Sequence, residues 1–161
     1  MGHSITAIIG GPDVVAALGA AAGCPPATPL VQGWSIIPLG ERQLDRLAGE
    51  TLGAPTPGFI YLGANLDEVF RSFGARGDFV YLETNYFGGA GGQAAALYRG
   101  GHVFRREAQD VSRAPPSPNG PINQLLRDLG VVAAFGKDAF DTLGLGRFRA
   151  PEALGLEFEE E

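Results

Sequence analysis

The sequence has one cysteine, Cys24, one lysine, Lys137, and two histidines, His3 and His102. A lone cysteine cannot close an internal disulfide, so the fold does not depend on oxidation. Two histidines and a cysteine far apart in the chain supply neither a metal-ligand set nor a nucleophile triad. Long apolar runs are also missing: none reaches the ~20 residues that a transmembrane helix needs. Cations are in the minority, 12 against 18 acidic residues, for a net charge of −6. Phosphate binding needs clustered cations, so a broad nucleic-acid surface is excluded. Ala21-Ala22-Gly23-Cys24 has the look of a bacterial lipobox. However, no Lys or Arg precedes it, and Gly10-Gly11-Pro12-Asp13 breaks the apolar run a signal peptide requires. These absences predict a cytoplasmic protein with no cofactor, no metal, and no nucleic-acid or membrane partner.

What is present is the composition of a folded body. Of 161 residues, 45% are hydrophobic and 19% charged, enough apolar material for one proper core. The 25 glycines and 12 prolines predict many turns and short elements. We read a single globular domain over residues 1–154 and an acidic mobile tail over 155–161, where EFEEE offers few apolar anchors.

The pattern along the chain predicts the elements. Ser4 to Ile9 and Trp34 to Leu39 are short β-type runs, the second expected to be an edge strand or to end at Pro38, which cannot donate to a ladder. Pro12 and Asp13 open a helix, and Glu41 to Leu47 has helical spacing. Phe59 to Leu62 reads as a strand. Asn65 then serves as an N-cap with Glu68 completing a capping box, and Leu66, Val69, Phe70 and Phe73 form one apolar helical face. Phe79–Phe87 and Ala94–Tyr98 read as paired strands, with His102–Arg105 a possible third and residues 105–120 a long exposed loop. Pro121 starts a helix whose apolar face is Ile122, Leu125, Leu126 and Leu129. Asp138–Leu143 is a last short helix. The fold class is α+β, with helices covering one face of a largely antiparallel sheet.

The stretch Gly88-Gly89-Ala90-Gly91-Gly92-Gln93 admits several chemistries. It fits a dinucleotide fingerprint after a strand, but too few residues follow for a crossover helix. The same glycines and glutamine occur in peptide-chain release factors and ribosome-rescue hydrolases, whose basic continuation is absent here. The remaining reading is a strand-to-strand turn or bulge, with Gln93 hydrogen-bonding across it. His3 is placed at a frayed N-terminus and His102 at a solvated turn. Asp67 and Glu68 are helix-start charges favoured by the dipole.

Several segments together resemble a family of small bacterial proteins of uncharacterised biochemistry, some of whose members resemble immunity proteins of secreted-toxin systems. They are Val31–Leu39, Tyr81-Leu82-Glu83-Thr84-Asn85-Tyr86-Phe87-Gly88-Gly89-Ala90-Gly91-Gly92-Gln93-Ala94, Pro121–Leu126, Asp138–Asp141 and Leu143–Arg147. The resemblance implies a non-catalytic binder of a cognate toxin or effector, as a monomer or weak homodimer. An acidic body suits a basic partner. The face carrying Glu83, Asn85 and Tyr86, with Gln93 and the 105–120 loop, is the expected contact surface. The competing reading is a small-molecule-binding protein or hydrolytic enzyme with a pocket around Glu83, Asn85, Gln93 and His102. A third, a component of a larger assembly, would show as self-association.

Overall fold

The computed structural model describes residues 3–49, 51, 53–87, 90–111 and 120–156. In chain order the strands are β1 (Thr6–Gly10), β2 (Thr28–Pro29), β3 (Ser35–Pro38), β4 (Phe79–Phe87), β5 (Ala90–Arg99) and β6 (His102–Val111). The helices are α1 (Pro12–Ala22), α2 (Glu41–Ala48), α3 (Ala64–Gly74), α4 (Pro121–Leu129) and α5 (Ala139–Thr142). The strands form one sheet in the order β2-β3-β1-β4-β5-β6, and every pairing is antiparallel. The α+β class expected from the sequence is therefore what the chain adopts.

The helices cover both faces of this sheet, not one. Ile8, Phe79, Tyr81, Ala94, Ala96 and Tyr98 pack against Val14, Val15 and Leu18 of α1, Leu44 of α2 and Leu66 and Phe70 of α3. On the other side Ala7, Ile9, Val80, Leu82, Ala95 and Leu97 meet Ile122, Leu125, Leu126 and Leu129 of α4 and the segment from Ala139 to Leu154. A sheet covered twice needs apolar side chains at successive positions, which is why TAIIG, FVYL and AAALY read as continuous runs. Phe70 is the centre of one layer, with the rings of Phe79, Tyr81 and Tyr98 at 5.0–5.7 Å.

Several expected elements come out differently. Phe59–Leu62 is not a strand. It belongs to a loop folded on itself, in which Thr56 N–H donates to Leu62 O and Phe59 N–H to Thr56 O. Phe59 and Leu62 anchor that loop in the core, so its apolar residues answer to burial rather than to a ladder. Asn65 is not an N-cap: α3 starts at Ala64 after Gly63, and the Asn65 amide donates to Thr51 O. The long loop assigned to 105–120 begins later, because residues 105–111 are the second half of β6. Charged side chains suit such a strand, since β6 is the sheet edge and its alternate residues reach over the helices. Arg105 binds Asp128 and Gln124 of α4, while Arg106 lies 3.8 Å from Asp67 of α3. Residues 112–119 of that loop and 157–161 of the acidic tail lie outside the described residues. β3 ends at Pro38, although it is not a sheet edge and Leu39 N–H still donates to Thr6 O of β1 beyond it.

Both histidine and cysteine have settled positions. His3 is tied down rather than frayed. Its Nε2–H donates to Leu145 O at 2.9 Å, so Nδ1 is the acceptor, 2.8 Å from Thr84 Oγ1. Thr84 Oγ1 in turn accepts Ile5 N–H. Cys24 is half-buried, its Sγ–H donates to Pro38 O, and burial pushes its thiol up to about 11. Cleavage ahead of Cys24 would remove β1, a strand with neighbours on both sides, together with α1. Cys24 thus reads as an ordinary structural thiol.

Candidate functional site

Glu83 lies in β4 on the face that carries Phe79 and Tyr81, and it is 3% exposed. A buried carboxylate is costly unless its oxygens are hydrogen-bonded. Here Oε1 accepts Ile60 N–H at 2.6 Å, and Oε2 accepts Tyr61 N–H at 2.9 Å and Tyr81 O–H at 2.6 Å. The Tyr81 phenol is held far above its ordinary value, first by burial and then by the adjacent Glu83 charge. Glu83 is thus a fixed acceptor whose work is to hold a loop.

That loop presents two large apolar side chains to solvent. Ile60 is 58% exposed and Tyr61 43% exposed. Their flanking neighbours Phe59 and Leu62 are buried at 9% and 1%. The Phe59 ring stacks on Tyr81 at 6.2 Å, and Pro55 bridges Gly63 at the loop base. Gly58 completes the fit: its φ is +84°, and a Cβ there would sit 2.4 Å from the Ala108 methyl. Backbone and flanks are held by these contacts, while the two side chains at the tip are exposed.

Beside the tip runs an open groove of about 700 Å³ across the end of the sheet, where β3 stops and β1 starts. Its lining includes Glu41, Leu44 and Asp45 from α2, Ile60 and Tyr61, Glu152 and Leu156, and Glu83 and Asn85. Among the described lining residues, four are carboxylates and none is Lys or Arg. Arg46 of α2 instead lies against Gly23 at the end of α1. A smaller cleft of about 320 Å³ shares Ile60, Glu83 and Asn85 and continues over Gly91, Gly92 and Gln93.

The residues singled out from sequence separate into different places. Glu83 and Asn85 share a face, with Asn85 exposed at the groove. Tyr86 does not join them. It lies on the opposite face with Leu82 and Thr84, because strand side chains alternate. Gln93, opposite Thr84 in the ladder, is on that other face too. Its Nε2–H donates to Tyr86 Oη at 2.9 Å, and its Oε1 accepts Ile122 N–H at 2.8 Å. Gln93 therefore bonds across the hairpin as expected, and also satisfies a free N–H in the first turn of α4. It is 3% exposed and its side-chain amide is occupied at both ends. His102 pairs with Arg99 at the far end of β5, five residues beyond the Ala94 that faces Glu83, about 17 Å along a strand. Glu83, Asn85 and Gln93 thus all border the smaller cleft, although the Glu83 and Gln93 side chains lie on opposite faces of the sheet, and His102, at the other end of β5, is not part of it.

Two of the glycines lie inside the ladder. Gly91 and Gly92 are residues of β5, paired with Tyr86 and Asn85, and no helix begins after them, which removes the dinucleotide reading. Gly88 and Gly89 lie outside the described residues. Asp67, assigned a helix-start role, is in addition a buried acceptor: Tyr98 O–H donates to it at 2.6 Å and Arg71 pairs with it at 2.9 Å.

Sequence reasoning missed the groove residues Glu41, Asp45, Ile60, Tyr61 and Glu152. Ile60 and Tyr61 were hidden inside an apparent strand, and the acidic residues belong to segments that meet only in space. Among the described residues, no group of three or more His, Cys, Asp or Glu is placed to hold a metal ion, and no helix is long and apolar enough to cross a membrane. Comparison of the chain with protein-family models, with curated proteins and with solved structures found no match.

Proposed function

We propose that the chain is a non-catalytic protein-binding module that docks its partner on the Ile60–Tyr61 loop tip and the adjoining groove. The observation that carries this reading is what Glu83 holds. A buried carboxylate spends its acceptor capacity on the backbone N–H groups of the two residues whose large apolar side chains are left exposed. Tyrosine is enriched among residues that dominate interface energies, and a preordered loop lowers the entropy lost on binding. The partner class is a bacterial toxin or effector and the role immunity-type, on the strength of the family resemblance in segments 31–39, 81–94, 121–126, 138–141 and 143–147. The acidic body and acidic groove suit a basic partner.

The test is affinity capture from native lysate with tagged wild type and Tyr61→Glu side by side. Wild type is expected to retain one stoichiometric protein that arrests growth when expressed alone and is neutralised by co-expression. Tyr61→Glu, a substitution at an exposed position, should keep its melting temperature and lose the partner. Equal retention by both proteins would overturn the assigned surface.

A further inference from the structure

We infer that the groove beside the loop tip takes an extended cationic segment of the partner, with arginine or lysine side chains seated among Glu41, Asp45 and Glu152. This inference rests on the protein-binding reading and names the chemistry of the occupant. Three observations carry it. First, the groove combines apolar and acidic lining in one open channel: Leu44, Ile60, Tyr61 and Leu156 offer apolar contact, and Glu41, Asp45 and Glu152 are exposed. Arginine and lysine match both halves, because their methylene stems lie on apolar surface while the charged head meets a carboxylate.

Second, α2 presents carboxylates to the groove. Glu41 and Asp45, four residues apart and hence on one helical face, line it, while Arg46 is directed to the end of α1 and Arg42 is not among the described lining residues. Among the described lining residues, none supplies a cation to these carboxylates. Glu83, the fourth lining carboxylate, is saturated by Ile60, Tyr61 and Tyr81 and is not available to the occupant. Third, the Tyr61 ring is half-exposed at the groove, so a guanidinium there can stack on an aromatic face as well as pair with a carboxylate. An acidic or neutral segment would find like charge or nothing at these positions.

The experiment uses the full chain and a defined probe, a blocked peptide of alternating arginine and glycine, with a glutamate–glycine peptide as control. Amide shifts are followed by NMR during titration. The arginine peptide should perturb Glu41, Asp45, Ile60, Tyr61 and Glu152 saturably, and the glutamate peptide should not. Affinity should weaken by about tenfold in the triple variant Glu41→Gln, Asp45→Gln, Glu152→Gln, and fall as salt screens the pairing. Shifts scattered over all acidic surface, or affinity unchanged in the triple variant, would overturn the inference. The captured partner separates the two levels. Loss with Tyr61→Glu but full retention by the triple-Gln protein would sink the cationic occupant and leave the docking surface standing. Retention by both variants would sink both.

Discussion

At the scale of single residues, Gly91 shows most directly how little freedom the hairpin leaves. Its φ is +141°, and a Cβ there would lie 1.7 Å from the carbonyl oxygen of Asn85 on the neighbouring strand. Neither torsion nor space admits a side chain. Gly91→Val should therefore cost about 2–4 kcal/mol in chemical denaturation, with a matching fall in melting temperature. A stable Gly91→Val protein that had lost only its partner would mean the glycine serves binding instead. His3 supplies a pH-dependence with a definite sign. Burial holds its imidazole below the ordinary 6.5, opposed by the Leu145 hydrogen bond and assisted by Arg149. The unfolded chain thus takes up the proton more readily than the folded one. The stability that depends on neutral His3 is complete above about pH 6.5 and is lost as pH falls towards the lower folded value. Denaturation curves from pH 8 to pH 5 should show a steeper acid loss for wild type than for His3→Gln, which cannot titrate; parallel curves would count against the buried neutral imidazole.

At the scale of elements, helices and strands are joined by single polar side chains at points no local pattern marks. Gln93 ties β5 to Tyr86 and to the start of α4. Removing it leaves a buried hydroxyl and a backbone N–H without partners. Gln93→Ala should cost about 2–3 kcal/mol, with hydrogen exchange at Ile122 speeding up more than at the α4 C-terminus. Uniform exchange along α4 would show that the cap does not matter there. Pro121 and the Ile122–Leu125–Leu126–Leu129 face were legible because they depend on neighbours within two helical turns. The Gln93 contact was not, because its partner is 29 residues away. The same distinction explains the loop at 55–63. Phe59, Ile60, Tyr61 and Leu62 have strand-forming side chains, yet Glu83, 22 residues on, takes the N–H groups a ladder would use. Tyr86 is a different case: the period of two already places it with Leu82 and Thr84, and grouping it with Glu83 by nearness in sequence overlooked that alternation.

At the scale of the whole molecule, one sheet carries two cores. Phe70 on one side and Leu126 on the other are both fully buried and belong to separate apolar layers. Phe70→Ala should cost about 3–5 kcal/mol and Leu126→Ala about 2–5 kcal/mol. Because the strands are common to both layers, each variant should still unfold in a single transition seen alike by far-UV and near-UV circular dichroism. Two separated transitions would show that the layers are independent.

The sequence by itself determined what depends on composition and near neighbours: the α+β class, α1, α4 and the β4–β5 pairing, the end of β3 at Pro38, and the need for glycine before Gln93. Only the tertiary structure decided the rest. It set helices on both faces, because continuous apolar runs in β1, β4 and β5 do not say how many layers cover them. It turned Glu83 inward onto a loop, and it brought α2, the loop tip and residues 151–156 around one groove. Those outcomes depend on which distant segments meet when the sheet closes its order as β2-β3-β1-β4-β5-β6, and hydrophobic periodicity carries no information about that order.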